Sequence, residues 1–162
     1  MDERWVLDAS PLISLCDAGH GDWFGLLAAE VAIPAAVARE VAAGPDDVAG
    51  RMVAAGQFTI VPDVEIPAAV LSWDLGAGES AVLAWALRQP GWTAILDDGH
   101  ARRCARTLGI AARGTLGAVV LARRHGLCAS AAAVVRDLRA SGLRLDEELV
   151  RLTLWEALGE HW

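Results

Sequence analysis

Apolar and polar positions fall into short blocks along the chain, and the period of the blocks changes from one to the next. Trp5-Val6-Leu7 is a compact apolar run that predicts a strand, and it stops at Asp8-Ala9-Ser10-Pro11. Ser10 suits an N-cap and Pro11 the first helical position, so a helix is expected from Pro11 to Asp17. Val31-Ala32-Ile33 predicts a second strand, Pro34 sits where a helix begins, and Gly44-Pro45 ends that helix after Ala43. Phe58-Thr59-Ile60-Val61 predicts a third strand closed by Pro62, with a short helix after Pro67. Gly76-Ala77-Gly78 reads as a flexible lead into a helix that opens at Glu79 and ends near Pro90. Ala94-Ile95-Leu96 predicts a fourth strand running into Asp97-Asp98, with a helix from His100 to Leu108 behind it. A short strand at Ile110–Ala112 and helices at Thr115–His125, Ser130–Ala140 and Asp146–Leu158 complete the pattern.

Alternation of strand and helix predicts the α/β class, an α/β/α sandwich around a central, mainly parallel sheet. No repeat, low-complexity segment or linker interrupts the 162 residues, so one domain is expected over residues 1–145. Residues 146–162 form a C-terminal helix, packed on that domain or at a dimer interface. Leu145, Leu149 and Leu152 make one apolar stripe of it, beside Leu154 and Leu158. In parallel sheets ligands collect outside the carboxyl ends of the strands, which says where chemistry is to be sought.

Composition narrows the chemistry. With 54% hydrophobic residues the chain is too apolar to be disordered. All 14 basic side chains are Arg, and the missing lysines exclude a Walker-type phosphate loop, a kinase, a Schiff-base enzyme and a pyridoxal-phosphate enzyme. Uncharged apolar runs fall short of the ~18 residues that cross a bilayer. The mixed charges of Met1-Asp2-Glu3-Arg4 do not suggest a signal peptide. Cys16, Cys104 and Cys128 are odd in number and lack C-x-x-C spacing, as expected of thiols in a reducing cytosol. A cytoplasmic protein with no membrane association is the expectation. The seven Trp have mostly apolar flanks and read as core, Trp85 above all, with Trp92 and Trp162 the candidates for exposure.

A net charge of −7 argues against a broad nucleic-acid footprint. Its distribution is uneven, however. Arg102, Arg103, Arg106, Arg113, Arg123 and Arg124 follow His100 with no acid among them. They fit a solvated face or a phosphate-facing patch.

Two predicted strands deliver a carboxylate at their carboxyl end, Asp8 on the first and Asp97-Asp98 on the fourth. One such Asp reads as a turn or cap residue; two in equivalent places point toward chemistry. Glu40 borders the apolar stripe of its helix, three residues after Val37 and one before Val41. Glu79 opens a nearly all-apolar helix, where the backbone dipoles favour negative charge and a plain capping role competes. Carboxylates converging with no cation between them repel, and they persist together when divalent metal sits among them. Mg²⁺ or Mn²⁺ held by oxygen ligands suits such a group, and the chemistry it implies is phosphodiester hydrolysis.

Several segments together resemble a known family. They are Val6-Leu7-Asp8-Ala9-Ser10-Pro11-Leu12-Ile13, then Ile33-Pro34-Ala35-Ala36-Val37-Ala38-Arg39-Glu40-Val41, then Leu75-Gly76-Ala77-Gly78-Glu79-Ser80-Ala81. Ile95-Leu96-Asp97-Asp98-Gly99-His100-Ala101-Arg102 follows, and then Gly114-Thr115-Leu116-Gly117 leading into Ala122-Arg123-Arg124-His125-Gly126-Leu127. From Val6 to Leu127 the chain resembles the PIN-domain ribonucleases, most closely the PIN-like toxins of prokaryotic toxin–antitoxin pairs. The resemblance implies a Mg²⁺- or Mn²⁺-dependent endoribonuclease acting on RNA, with a cognate antitoxin protein as partner, while the leucine stripe of the terminal helix offers the surface for a homodimer. Asp8 matches the family's first-strand acid and Ser10 the small polar residue that supports it. Glu40 matches the helix acid, and Glu79 takes the third position, which in many relatives is Asp. Asp98 best matches the last acid, with Asp97 beside it able to take that role, while Leu96 stands where relatives commonly carry Thr.

The catalytic expectation is therefore that Asp8, Glu40, Glu79 and Asp98 hold one or two metal ions around an attacking water. Ser10 would orient Asp8, and Arg102 and Arg106, one helical turn apart, would face phosphate. The alternative is a PIN-fold binding module without turnover, acting through a protein partner. Haloacid-dehalogenase phosphatases and response-regulator receivers also carry acids at strand ends, but the first reads D-x-D where this chain has Asp8-Ala9-Ser10, and both ordinarily use a Lys. A Ser-His-Asp hydrolase would need a G-x-S-x-G elbow, which the sequence lacks.

Overall fold

The strands are short and their order is not that of the chain. In the computed structural model, which describes residues 2–45 and 47–162, they are β1 (Arg4–Leu7), β2 (Glu30–Pro34), β3 (Thr59–Val61), β4 (Trp92–Ile95) and β5 (Ala112–Arg113). They form one sheet in the order β3-β2-β1-β4-β5, and every pairing is parallel. The helices are α1 (Ala9–Asp17), α2 (Trp23–Leu27), α3 (Ala35–Ala43), α4 (Val48–Ala54), α5 (Ala68–Leu71), α6 (Ala77–Arg88), α7 (Gly99–Thr107), α8 (Thr115–Arg124), α9 (Ala131–Ala140) and α10 (Glu147–Leu158). The fold is an α/β/α sandwich around this parallel sheet.

β1 is the central strand, and Trp5, Val6 and Leu7 are all fully buried. A strand covered on both faces reads as a continuous apolar run, which is why its signal in the sequence is not alternating. The chain leaves β1 to build β2 and β3 on one side, then returns to build β4 and β5 on the other. The ordering reverses between β1 and β4, and a crevice opens at their carboxyl ends. Register brings those ends level: Leu7 pairs with Ile95, and the Asp8 amide donates to the Ile95 carbonyl at 3.1 Å. Asp8 and Asp97 thus emerge at the same edge of the sheet.

Several boundaries differ from the expected ones, and two of the differences shape the crevice. α1 begins at Ala9 with Asp8 at its N-cap, so Pro11 stands third in the helix instead of first. Pro is tolerated there because the first amides of a helix have no intrahelical partner. α6 begins at Ala77, so Gly78 lies inside its first turn and is not a flexible lead. β4 is Trp92–Ile95 and leaves Leu96 outside, and β5 is displaced to Ala112–Arg113. α2 and α4 were not foreseen; each is short, and α2 is held by burial of Trp23, Phe24 and Leu27 more than by helical propensity.

α10 packs against α8, and its Val150 and Leu154 are fully buried. The stripe read from sequence divides: Leu145 packs against the core, while Leu149 and Leu152 are exposed, as is Trp155. Among the tryptophans, Trp5 and Trp23 are core, Trp85, Trp92 and Trp162 are half-buried, and Trp155 is the exposed one. Cys16, Cys104 and Cys128 are free thiols, and burial pushes Cys16 up to about 12. Among the described residues no helix is long and apolar enough to cross a membrane.

Candidate active site

Asp8 is the most buried of the acids at the sheet edge, with 6% of its surface exposed. It occupies the N-cap of α1, yet its side chain makes no capping bond and is directed to other work. Burial is the largest influence on its carboxyl and pushes the pKa up to about 7. A bond from the Ala9 amide opposes this, while Glu79, Glu40 and Asp97 add like charge and raise it further. These three acids are the neighbours whose charge Asp8 feels.

Glu40 arrives from α3 and Gly78 from α6, which pack side by side. A Cβ on Gly78 would lie 2.6 Å from Glu40 Oε2 and 3.0 Å from Asp8 Oδ1, so both carboxylates reach into the space that its missing side chain leaves. Glu79 does serve the helix end: its Oε2 accepts from the Gly76 amide at 3.1 Å. The same side chain also faces the crevice. Two adjoining cavities open there, of about 530 Å³ and 430 Å³, and Asp8 and Glu79 line both. The first also contains Ser10, Asp97 and Asp98, and the second Glu40. A larger cavity of about 680 Å³ lies elsewhere, among Phe24, Phe58, Trp85 and Trp92, and none of these acids lines it.

The two adjacent aspartates after β4 divide their tasks. Asp97 Oδ1 accepts from the Thr115 amide at 2.7 Å, and Oδ2 accepts from the Thr115 hydroxyl at 2.7 Å and the Ser10 hydroxyl at 3.0 Å. Asp98 lines the same cavity but caps α7, its Oδ1 accepting from the Ala101 amide at 2.8 Å. Ser10 therefore holds Asp97 and not Asp8, contrary to expectation, because α1 starts at Ala9 and turns Ser10 toward the end of β4. The structure brings Asp8, Glu40, Glu79 and Asp97 together, with Asp98 at the rim.

Thr115 is fully buried, and its part in the site was missed from sequence. The available signal was position: Gly114-Thr115 lies between the last strand and a helix, at the same sheet edge as the acids. Gly114 makes the approach possible, since a Cβ there would sit 3.3 Å from Asp97 Oδ1 and 3.2 Å from an Arg102 nitrogen.

The sequence cluster of arginines does not survive as a surface patch. Arg102 turns inward, and its Nη1 donates to the carbonyls of Leu96 and Asp97, bracing the corner after β4 instead of facing phosphate. Arg106 is exposed and lines neither cavity. Arg113 pairs with Glu3 and Arg123 with Glu160, both at 2.8 Å, while Arg124 donates to the Ala157 carbonyl. Neighbours in sequence here belong to α7, β5 and α8, which present them in different directions. Two arginines not singled out from sequence line the cavities instead, Arg144 the larger and Arg39 the smaller.

The donor set is one of carboxylate oxygens, with no thiol or imidazole among them. That chemistry suits a hard divalent cation that keeps several waters and is held by one or two carboxylates, and the gap over Gly78 already presents two. Among the described residues no group of three or more His, Cys, Asp or Glu side chains is placed to hold a metal ion. These oxygen donors suit a partly hydrated divalent cation and not a closed zinc cage.

A family model described as the PIN domain matches residues 4–158. No curated protein matches the chain.

Proposed function

The chain belongs to the PIN-domain family, whose members are generally nucleases that use divalent metal ions, and on that premise we propose that it is a Mg²⁺- or Mn²⁺-dependent endoribonuclease. The observation that carries the reading is the convergence of Asp8, Glu40, Glu79 and Asp97 at the β1–β4 crevice, with Asp8 pushed up to about 7. We further propose that it acts as the toxin of a prokaryotic toxin–antitoxin pair, in the cytoplasm and as a homodimer, with a cognate antitoxin as partner. The sequence segments it shares with that branch support this.

Asp8 and Glu40 would hold the metal, with Glu79 and Asp97 completing its surroundings and Asp98 supplying a further oxygen at the rim. When bound, such an ion lowers the pKa of water and stabilises charge on phosphate oxygens. The protein's own contribution is positional. Thr115 and Ser10 fix both oxygens of Asp97, the Gly76 amide fixes Glu79, and Gly78 leaves the space into which Asp8 and Glu40 reach. Burial disfavours the charged form of Asp8, so a divalent cation held there would favour its carboxylate, and binding should release protons near neutral pH.

RNA cleavage with Mg²⁺ or Mn²⁺, and none in the presence of chelator, is the expected result. Asp8→Asn should abolish cleavage while the protein remains folded. Activity surviving in that variant would remove Asp8 from the mechanism, and wild-type protein inert with either metal would overturn the nuclease reading. The second reading is a PIN-fold binding module acting through a protein partner. Leu149, Leu152 and Trp155, exposed together on α10, favour it.

A further inference from the structure

Every carboxylate around the larger acidic cavity is supplied with a donor from the protein near by. Asp97 is held by Ser10 and Thr115, Asp98 by the Ala101 amide, and Asp17 by the Val48 amide at 3.1 Å. Asp8 takes a bond from the Ala9 amide and Glu79 one from the Gly76 amide. One cationic side chain on the cavity wall has no partner among the described residues. It is Arg144, which makes no ion pair and no hydrogen bond among the described residues.

Arg144 lies on the connection between α9 and α10, and that connection is anchored on both sides of it. Gly142 takes a φ of +108°, which permits the reversal after α9, and the Leu143 amide donates to the Leu138 carbonyl at 3.0 Å. Leu143 and Leu145 pack against the core, and Asp146 caps α10 through the Leu149 amide at 2.8 Å. With both neighbours turned inward, Arg144 is presented outward at a fixed place on the cavity wall. Its exposed position keeps the guanidinium hydrated and ready to exchange water for a ligand.

The remaining arginines near the acids are committed. Arg39 pairs with Asp63 at 2.6 Å, and Arg102 braces main-chain carbonyls. A nucleic-acid backbone entering a cavity lined by acids meets repulsion, which a metal offsets only locally. A guanidinium at the wall offers two parallel N–H donors to a second phosphate, in the geometry that Arg provides and Lys does not.

We infer that Arg144 binds a phosphate of an RNA strand that enters the larger acidic cavity, and so sets how the strand lies there. This assignment rests on the nuclease reading for the identity of the strand. It does not rest on turnover.

The test uses the full chain carrying Asp8→Asn, so that RNA is bound and not cut, with a short labelled single-stranded RNA in Mg²⁺. Affinity is measured across a range of salt concentrations. Adding Arg144→Ala should weaken binding about tenfold at low salt and reduce the slope of log K against log salt by about 0.7, the value for one phosphate contact on a single strand. Arg144→Lys should keep the slope while recovering only part of the affinity, and Arg106→Ala should change neither. In the cleaving protein, Arg144→Ala should raise KM more than it lowers kcat. Unchanged affinity and slope in Arg144→Ala, in a protein that cleaves RNA, would overturn the inference and leave the nuclease reading standing. RNA binding that depends on Arg144 in a wild type that never cleaves would overturn the nuclease reading and uphold the inference. Absence of RNA binding altogether would overturn both.

Discussion

Asp8 Oδ1 and Glu40 Oε2 meet over the bare Cα of Gly78, at 3.0 Å and 2.6 Å from where a Cβ would stand. Residues from β1–α1, α3 and α6 thus share one small space, and the shortest side chain in the protein keeps it open. Gly78→Ala should improve the helix by up to about 1 kcal/mol while displacing the Glu40 carboxylate. Thermal stability without metal should therefore change little. Cleavage should fall on the order of a hundredfold, as for catalytic groups moved by about 1 Å. Melting curves with and without Mg²⁺ check the structural half, since the variant should lose most of its metal-induced shift.

Asp97 and Asp98 are distinguished by what holds them. Asn caps a helix as well as Asp does, so Asp98→Asn should leave stability near wild type, whereas Asp98→Ala should cost about 1 kcal/mol. Asp97→Asn should reduce cleavage more than Asp98→Asn, because Asp97 is the one whose charge reaches Asp8. Thr115→Val should also lower activity, and about 1 kcal/mol of stability should be lost with its bond to Asp97. Parallel measurement of melting and cleavage across these variants separates capping from chemistry. Equal loss of activity in the two Asn variants would contradict the division of roles.

Asp8 should make metal-free protein less stable as pH rises. An Asp in an unfolded chain titrates near 3.8, while in the folded protein Asp8 keeps its proton up to about 7. Between those values the folded state binds more protons than the unfolded one, so the slope of stability against pH is negative. The favourable contribution is complete below 3.8 and gone once pH passes about 7. Chemical denaturation in chelator from pH 4 to 8 should show this decline. Asp8→Asn should flatten it and should exceed wild type in stability at the alkaline end. Mg²⁺ should restore wild-type stability there and do little at the acid end, where the proton competes.

Glu160 ties the C-terminal segment to the domain. Its carboxylate accepts from Arg123 Nε at 2.8 Å, Ser130 Oγ at 3.1 Å and the Ala132 amide at 3.0 Å. Burial works to raise its pKa, and these donors overcome that and hold it below the usual carboxylate range. Glu160→Ala should cost about 1–3 kcal/mol, chiefly from leaving the α9 end without its partner. Because a lowered folded pKa contributes stability only above the unfolded value, the difference between the variant and wild type should shrink as pH falls through the carboxylate range. Cleavage should be unaffected at temperatures where both proteins are folded.

The parallel α/β architecture was legible because its signals are local. A strand buried on both faces must be apolar throughout, as Trp5-Val6-Leu7 is, and Pro34 and Pro67 mark helix starts by geometry alone. Acids at strand ends were legible for the same reason, since a parallel sheet sends every strand's carboxyl end to one edge. The short α2 and α4 were not, because they depend on tertiary burial and not on period or capping over a long stretch.

What lay beyond the sequence was every relationship between residues distant in the chain. Whether Asp97 or Asp98 faces Asp8 depends on the register of Leu7 with Ile95. The partner of the Ser10 hydroxyl depends on α1 starting one residue after Asp8. Six arginines close in sequence scatter because α7, β5 and α8 point them apart, while Arg144, far along the chain, lines the cavity of the acids. Local rules act over a few residues, through backbone geometry, so one sequence suffices to place the strands, the longer helices and the acids at their ends. The directions of side chains at a shared site follow from how those elements pack, and only the folded chain decides them.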